Sequence, residues 1–147
     1  MKHLMAIAAF GALIAGGAMA ADLKEWRQAK AAPVNAADTD LGDFRWEARP
    51  VIVMADRADD PDFTAQMKVF RDEAEGVADR DMLIVTDTDP GAQGDLRGQL
   101  SPDGFGVYLV GKDGGVKFSS QSPVSMARFA EIIDAMPMRQ REMRDGG

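Results

Sequence analysis

Aspartate residues cluster in two segments of this chain, where their carboxylates could bind a metal ion or act in catalysis. Each segment follows a predicted strand, and the candidate residues are Asp56, Asp59, Asp60, Asp87 and Asp89. The carboxyl ends of strands form the usual ligand crevice of an open α/β sheet. Carboxylates that converge there could bind Ca²⁺ or Mg²⁺, which gives the hypothesis of a divalent-metal site. The alternative is structural: Asp60 caps a helix, and the other carboxylates keep the loops solvated.

The second aspartate segment also carries a phosphatase-like pattern. Residues 85–90 are Val-Thr-Asp-Thr-Asp-Pro, which resembles the first motif of haloacid-dehalogenase-like phosphatases. The resemblance implies that Asp87 takes the phosphoryl group and that Asp89 acts on the leaving group. Pro90 departs from the motif, which has a hydroxyl-bearing or β-branched residue at that point. The later sequence also lacks a pair of acids after a strand that could hold Mg²⁺. An Asp-dependent phosphatase therefore remains only as a further alternative.

The C-terminal segment is rich in arginine and methionine. Its candidate binding residues are Arg139, Arg141 and Arg144, and its methionines are Met136, Met138 and Met143. Thioethers are soft ligands that suit Cu(I), but the neighbouring arginines would oppose a cation. Packing into gaps of the core is the other interpretation of the methionines. The arginines could contact carboxylates of a partner or pair with the acidic surface of the domain itself.

Several chemistries are excluded by composition once the first twenty residues are interpreted as a signal peptide. A basic start at Lys2, an apolar stretch from Leu4 to Ala15 and a small-residue end at Ala20 are typical of secretory signals. The chain has no cysteine, and its one histidine, His3, would leave with this segment. A Ser-His-Asp arrangement, an ordinary zinc site and thiol redox chemistry are then impossible. We expect export to the periplasm or beyond, and no cofactor.

The net charge of the exported chain argues against two classes of binding partner. Loss of Lys2 lowers the basic residues from 17 to 16 against 24 acidic residues, so the net charge becomes about −8. Such a charge repels phosphates, which argues against nucleic acid and anionic membrane surfaces as partners. The length predicts one domain. The predicted organisation is a signal peptide over 1–20, an N-terminal arm or linker over 21–43, and a domain over 44–147 with no further membrane span.

The elements that must position these residues alternate between strands and helices. Apolar runs of strand length and helix-start signals give this order: strand 50–55, helix from Asp60 to about Asp79, strand 82–86, a weak helix at 94–99, strand 105–110, a turn at 112–115, strand 116–119 and a helix opening at Ser122-Pro123. The run at 50–55 is apolar throughout, as in a strand that is buried on both faces. The fold class is therefore α/β, with a mixed central sheet of about four strands in the order β-α-β-(α)-β-β-α.

Three segments of the sequence resemble those of a known protein family. They are Phe44-Arg-Trp46, Val110-Gly-Lys-Asp-Gly-Gly-Val-Lys117 and Met136-Pro-Met-Arg-Gln-Arg-Glu-Met-Arg144. Together they resemble a family of small exported bacterial proteins of unknown function that have a thioredoxin-like domain. That domain is similar to one in animal sushi-repeat and coiled-coil-domain-containing matrix proteins.

The resemblance implies a thioredoxin-like fold without thioredoxin chemistry. The redox cysteines of working thioredoxins would fall within Asp56–Asp62, which contains no thiol, and their cis-proline would fall near Gly106. Glycine at that position leaves the peptide trans by default. Together with the matrix and adhesion roles of the animal relatives, this predicts a non-catalytic module that binds a protein or cell-envelope partner.

Overall fold

The computed structural model describes residues 22–92, 94–100 and 102–146. The predicted signal peptide, 1–20, lies outside the described residues. None of the helices within the described ranges is both long and apolar enough to cross a membrane.

A five-stranded mixed sheet forms the centre of the domain. Its strands are β1 (Val34–Asn35), β2 (Arg49–Met54), β3 (Met82–Asp87), β4 (Gly106–Val110) and β5 (Val116–Ser120). The spatial order is β1-β3-β2-β4-β5; β1, β3 and β2 are parallel, while β4 is antiparallel to β2 and to β5. The four predicted strands are confirmed to within one residue at each end. The sheet has five strands rather than the expected number of about four, because β1 has only two residues and no apolar run that would predict a strand.

Within the described residues, six helices flank the sheet: α1 (Leu23–Gln28), α2 (Pro61–Asp72), α3 (Ala74–Asp79), α4 (Asp95–Leu100), α5 (Met126–Asp134) and α6 (Pro137–Gly146). The single helix predicted after Asp60 is two helices, because Glu73 leaves helical geometry at φ −115° and ψ 37°. The helix that was predicted to open at Ser122 begins instead at Met126, as α5. Its N-cap is Ser125, whose side chain accepts a hydrogen bond from the backbone N–H of Arg128. Short 3₁₀ turns occupy Ala36–Asp38, Leu41–Phe44 and Pro90–Ala92.

Both faces of the sheet are buried at its central strands, β2 and β3. On the first face, alternate residues of the strands pack against α2, α3 and α5 through Phe70, Val77, Phe129 and Ile133. On the second face, the residues between them pack against α1, the 3₁₀ turns and α4 through Trp26, Phe44, Leu96 and Leu100. Every residue of β2 is buried, which confirms the prediction from its unbroken apolar run.

Residues 22–43 pack onto the second face, although the sequence predicted an arm or linker there. Trp26 is only 3% exposed, and its ring meets Phe44 edge to face with centroids 6.0 Å apart. Val34 is buried where β1 extends the sheet beyond β3. A few large apolar residues among many Ala and Asp residues were enough to attach this segment, because the edge of β3 was open for pairing.

The β4–β5 hairpin follows the predicted turn. The N–H of Gly111 donates to the carbonyl of Gly115 at 2.9 Å, and Gly114 has a φ of +90°, which only glycine adopts without strain. No peptide bond in the described part of the chain is cis, in line with the trans peptide expected at Gly106.

Candidate functional site

The sheet has two ends at which functional side chains could collect. We call the edge where β2 and β3 end the upper end, and the edge where they begin the lower end. Met54 is in register with Asp87 and Gly106 at the upper end, and Arg49 with Met82 at the lower end. The predicted aspartate site belongs to the upper end, whereas the C-terminal arginines belong to the lower end.

The upper-end aspartates have separate structural roles. Asp60 caps α2 by accepting hydrogen bonds from two backbone N–H groups of the first turn, at 2.8 and 3.1 Å. Asp59 pairs at 2.8 Å with Arg57, and both side chains are mostly exposed. Asp56 and Asp89 are exposed as well. In the part of the chain that the structure describes, no three Asp, Glu, His or Cys side chains are grouped so that they could hold a metal ion.

Asp87 is engaged by Arg97. Its Oδ1 accepts hydrogen bonds from Arg97 at 3.0 Å and from the backbone N–H of Asp89 at 3.1 Å, and the side chain is 11% exposed. The same guanidinium donates to the backbone carbonyls of Ala55 and Asp87, each at 3.0 Å. Arg97 thus ties together the ends of β2 and β3. A carboxylate held in this way is poorly placed to attack a phosphate, so the geometry favours a structural role for Asp87.

The predicted arginine site divides into one buried and two exposed residues. Arg139 is 6% exposed; it contacts Asp134 at 3.0 Å, and both the carboxylate and the backbone carbonyl of Asp79 at 2.8 and 3.0 Å. Its role is to dock α6 on α3 and α5. Arg141 and Arg144 are exposed and make no ion pair within the described part of the chain. Only these two arginines are free to meet a partner.

Arg139 belongs to a continuous group of ion pairs that we call the lower-end network. Its nine members are Lys30, Arg49, Asp79, Arg80, Asp81, Lys112, Asp134, Arg139 and Glu142, and the 3.8 Å contact of Arg139 with Glu142 joins its two halves. Glu142 accepts from Arg49 through both oxygens, at 3.1 and 3.0 Å, and from Lys112 at 2.8 Å. Arg49 is 1% exposed and Lys112 is 8% exposed. The sequence contained one signal for this network: Arg49 is a charged residue at the start of a strand that is buried throughout. The sequence analysis did not identify it.

The network lowers the pKa of its carboxyl groups. Burial raises the pKa of Glu142, but hydrogen bonds from Arg49 and Lys112 outweigh it and leave the pKa below its ordinary value. The pKa of Asp81 is lowered by the same balance, burial against hydrogen bonds from two lysines. For Asp134, the hydrogen bond from an arginine is the largest cause and lowers the pKa against the effect of burial. These carboxylates are therefore stabilised in their charged form.

Trp46 lies at the lower end in an unusual backbone conformation. It has a φ of +70°, a region that bulky side chains rarely adopt. Its N–H donates to the carbonyl of Lys112 at 2.7 Å, and its side chain is 58% exposed. The conformation thus holds a large aromatic ring in solvent, and strained residues of this kind collect at functional sites.

Three large apolar side chains are exposed at the lower end, in segments that contact or adjoin Lys112: Trp46, Val116 and Met143. Trp46 bonds to the Lys112 backbone, Val116 follows the hairpin turn that contains Lys112, and Met143 follows the Lys112 partner Glu142. We call these three, with Arg45, Arg141 and Arg144, the lower-end patch. The guanidinium of Arg45 lies over Gly114, where a Cβ would meet its Nη2 at 2.7 Å. The patch combines apolar and cationic groups in a chain that is acidic as a whole.

A groove of about 1080 Å³ runs over the second face, between the 3₁₀ turns and α4. Its floor includes Ile52 and Val110, and exposed carboxylates such as Asp38 and Asp95 border it. Such a border attracts cations more than anions. The groove opens at the lower end beside Val116, so it reaches the lower-end patch.

The three methionines that were considered as Cu(I) ligands are divided between the interior and the surface. Met136 packs against the core of the first face. Met138 lines a second cavity near Met136, whereas Met143 is 41% exposed. Packing explains the first two, and Met143 contributes to the lower-end patch.

The fold and site together define a mixed α/β domain whose lower end combines buried ion pairs with an exposed apolar patch. Residues 40–142 match the family described as "Domain of unknown function (DUF4174)". The match covers more than half of the chain, so the chain belongs to the DUF4174 family.

One of the curated relatives is coiled-coil domain-containing protein 80 from Danio rerio, which is 50% identical over 46 residues. The alignment covers 31% of this chain and 5% of that protein, so the chain matches only a small part of this relative. No solved structure matches the chain significantly.

Proposed function

We propose that this chain is an exported, non-catalytic module with a thioredoxin-like fold, which binds a protein partner in the cell envelope through the lower-end patch. The strand order β1-β3-β2-β4-β5, with parallel β2 and β3 and an antiparallel β4–β5 hairpin, supports the fold assignment. The absence of cysteine from the sequence argues against the redox activity associated with that fold.

The position of the exposed apolar side chains at one end of the sheet carries this proposal. Trp46, Val116 and Met143 are the large apolar residues that are exposed within the described part of the chain, and all three belong to segments that contact or adjoin Lys112. Single exposed apolar residues are ordinary on a protein surface, whereas a group of them at one place is typical of an interaction site. Aromatic residues, methionine and arginine are enriched at interfaces.

The lower-end patch rests on a rigid base. Lys112 fixes Trp46 through its carbonyl, and its ammonium group is held by Asp81 and Glu142, each at 2.8 Å. The side chains of the patch therefore extend from backbone that is already ordered before a partner arrives. Such preorganisation lowers the entropy cost of association.

The cations of the patch indicate the chemistry of the partner. Arg141 and Arg144 make no ion pair in the described ranges and flank Glu142 and Met143 on α6. They would meet carboxylates on a partner that also supplies an apolar side chain to contact Trp46. Complementary charge of this kind speeds association and selects among partners.

A site-specific cross-linking experiment tests the proposal. A photoreactive phenylalanine analogue replaces Val116 in the full-length, exported protein, and a control carries it at Arg71, which is exposed on α2. We expect a discrete cross-linked product from position 116, reduced strongly by Trp46→Ser, and none from position 71. Equal products at both positions, or a product that Trp46→Ser leaves unchanged, would contradict the proposal.

Charge-reversal variants test the arginines. The double variant Arg141→Glu, Arg144→Glu should lower the cross-linking yield, whereas Arg71→Glu should not, and both should keep the thermal midpoint of the parent. Arg139 is left unchanged because it is buried in the lower-end network. Export is tested separately by sequencing the N-terminus of secreted protein, which should begin at Ala21.

A further inference from the structure

A second cavity lies at the lower end, apart from the lower-end patch. This cleft of about 560 Å³ separates the α5–α6 junction from the β4–β5 hairpin. Its apolar wall consists of Ile132, Ala135, Met136, Pro137 and Met138. Its volume falls within the roughly 300–1,000 Å³ that is usual for small-molecule pockets.

The opposite wall of the cleft is cationic. It contains Arg49, Lys112 and Lys117, and each of them is already paired with a carboxylate: Arg49 and Lys112 with Glu142, and Lys117 with Asp113 at 2.9 Å. Two of the cations are almost fully buried, Arg49 at 1% and Lys112 at 8% exposure. The cleft therefore combines an apolar wall with one that is built from paired cations, two of which are buried.

Arg49 retains a buried hydrogen-bond donor that the protein does not use. Its two Nη atoms bind Glu142 and the backbone carbonyl of Arg80. Its Nε is buried and has no acceptor within the described part of the chain. Buried polar atoms nearly always have a partner, because leaving a donor unsatisfied costs free energy. An anionic ligand in the cleft would supply the missing acceptor.

We propose that this cleft binds a small monocarboxylate with an apolar tail. The carboxylate lies against Arg49 and Lys112, and the tail lies against Ile132, Met136 and Met138. A dicarboxylate or a phosphate would leave the apolar wall without a partner, so the amphiphilic acid is the best match. Two sources share this chemistry, a free fatty acid and the C-terminus of a peptide with an apolar last residue.

Calorimetric titration of the full chain tests the chemistry of the ligand. The probes are octanoate and octanamide, and the tripeptide acetyl-Gly-Leu-Leu with a free or an amidated C-terminus. We expect an acid to bind and its amide to bind at least roughly tenfold more weakly, because charge-assisted hydrogen bonds are lost. Binding of octanoate alone identifies a fatty acid, and binding of the free tripeptide identifies a peptide C-terminus. Failure of both acids to bind, or equal binding of acid and amide, would overturn the proposal.

Two methionines of α6 provide matched variants. Met138→Glu introduces a carboxylate into the wall of the cleft, whereas Met143→Glu introduces the same charge on the exposed surface of that helix. We expect Met138→Glu to weaken binding of the acid roughly tenfold or more and Met143→Glu to leave it unchanged. Met143→Glu should instead reduce the partner cross-linking, so the two proposals fail separately. Equal affinity of both variants for the acid would contradict the cleft as its site.

If Met138→Glu does not fold, two lysine variants provide a second matched test of the cleft. Lys117 of the cleft and Lys68 of α2 both pair with an aspartate four residues away, and both are partly exposed. Lys117→Glu should weaken binding of the acid, and Lys68→Glu should not. Unchanged affinity in Lys117→Glu would also count against the cleft.

Discussion

The two ends of the sheet hold charged residues in opposite ways. At the upper end, charges are satisfied mainly by near neighbours in sequence: Asp60 caps its own helix, and Arg57 pairs with Asp59 in a mostly exposed loop. At the lower end, buried cations are neutralised from far along the chain. Arg49 and Glu142 are 93 residues apart, and Arg139 and Asp79 are 60 apart. The ion pairs at the upper end therefore join residues that are close in sequence, whereas those of the lower end include pairs between distant segments.

This difference indicates which end of the sheet is the better candidate for a functional site. General topology directs attention to the upper end, since ligands of open α/β sheets bind beyond the carboxyl ends of the strands. In this chain the upper-end carboxylates are dispersed or paired, while the lower end has the exposed aromatic residue and the cationic cleft.

Removing the acid at the centre of the lower-end network should have the largest effect. Glu142→Ala leaves the buried guanidinium of Arg49 with only a backbone carbonyl as acceptor, so we expect a loss of about 3 kcal/mol in the free energy of unfolding. Urea denaturation measures it. The control is Glu131→Ala, whose exposed pair with Arg128 should contribute less than about 0.5 kcal/mol. Similar losses in the two variants would remove the contrast between buried and exposed pairs.

The ion pair at the upper end should have an intermediate effect. Asp87→Asn keeps the shape of the side chain but removes the charge that faces Arg97, and we expect it to cost about 1–2 kcal/mol in urea denaturation. Asp89→Asn, which changes an exposed residue in the same loop, is the control and should be nearly neutral. A loss in Asp87→Asn as large as that in Glu142→Ala would show that the two ends contribute alike.

The helix cap at the upper end should contribute less. Asp60→Ala removes the acceptor for two N–H groups of α2, and the typical cost is about 1 kcal/mol. Thermal denaturation of this variant beside Asp56→Ala measures the difference. If the exposed Asp56 proved equally costly, the assigned capping role would be wrong.

Mild acid should have the smallest effect, and it should act at the lower end. The carboxyl groups of Asp81, Asp134 and Glu142 have folded-state pKa values below their unfolded values of about 3.8 for Asp and 4.5 for Glu. Their stabilising contribution is therefore complete above those unfolded values and disappears as the pH falls through the folded ones. We expect little change in stability from pH 7 to 5 and a steepening loss below about pH 4.5.

The variant Glu142→Gln sharpens this pH test. It no longer has the Glu142 titration, so urea denaturation across the same range should show a smaller loss on acidification than in the parent. An equal dependence on pH in parent and variant would contradict the lowered pKa of Glu142.

Much of the fold could be predicted because its signals are local. The apolar run at 50–55, the Asp60-Pro61 helix start and the glycines of the β4–β5 turn depend on backbone preferences and burial that neighbouring residues express. β1 and the docking of α1 could not be predicted in this way. They depend on the open edge of β3 and on a pocket for Trp26, which form only when distant segments meet.

The candidate site was predicted only in part. Arg141 and Arg144 are exposed, and that they bind a partner stays a prediction. Arg139 has the same chemistry and spacing, yet it is buried against Asp79 and Asp134. Helical periodicity places it on another side of α6 from Arg141, and only the packing of α6 on α3 and α5 decides which side is buried.

Two kinds of property follow from the sequence without any tertiary contact: excluded thiol chemistry and local secondary structure. The absence of cysteine excludes thiol chemistry in any fold, and the patterns of apolar residues, caps and glycines specify most strands and several helices. Which charges are buried, and which segments come near Lys112, depends on the tertiary structure. The physical reason is that burial and ion pairing depend on distances between residues far apart in the chain, which no local pattern encodes.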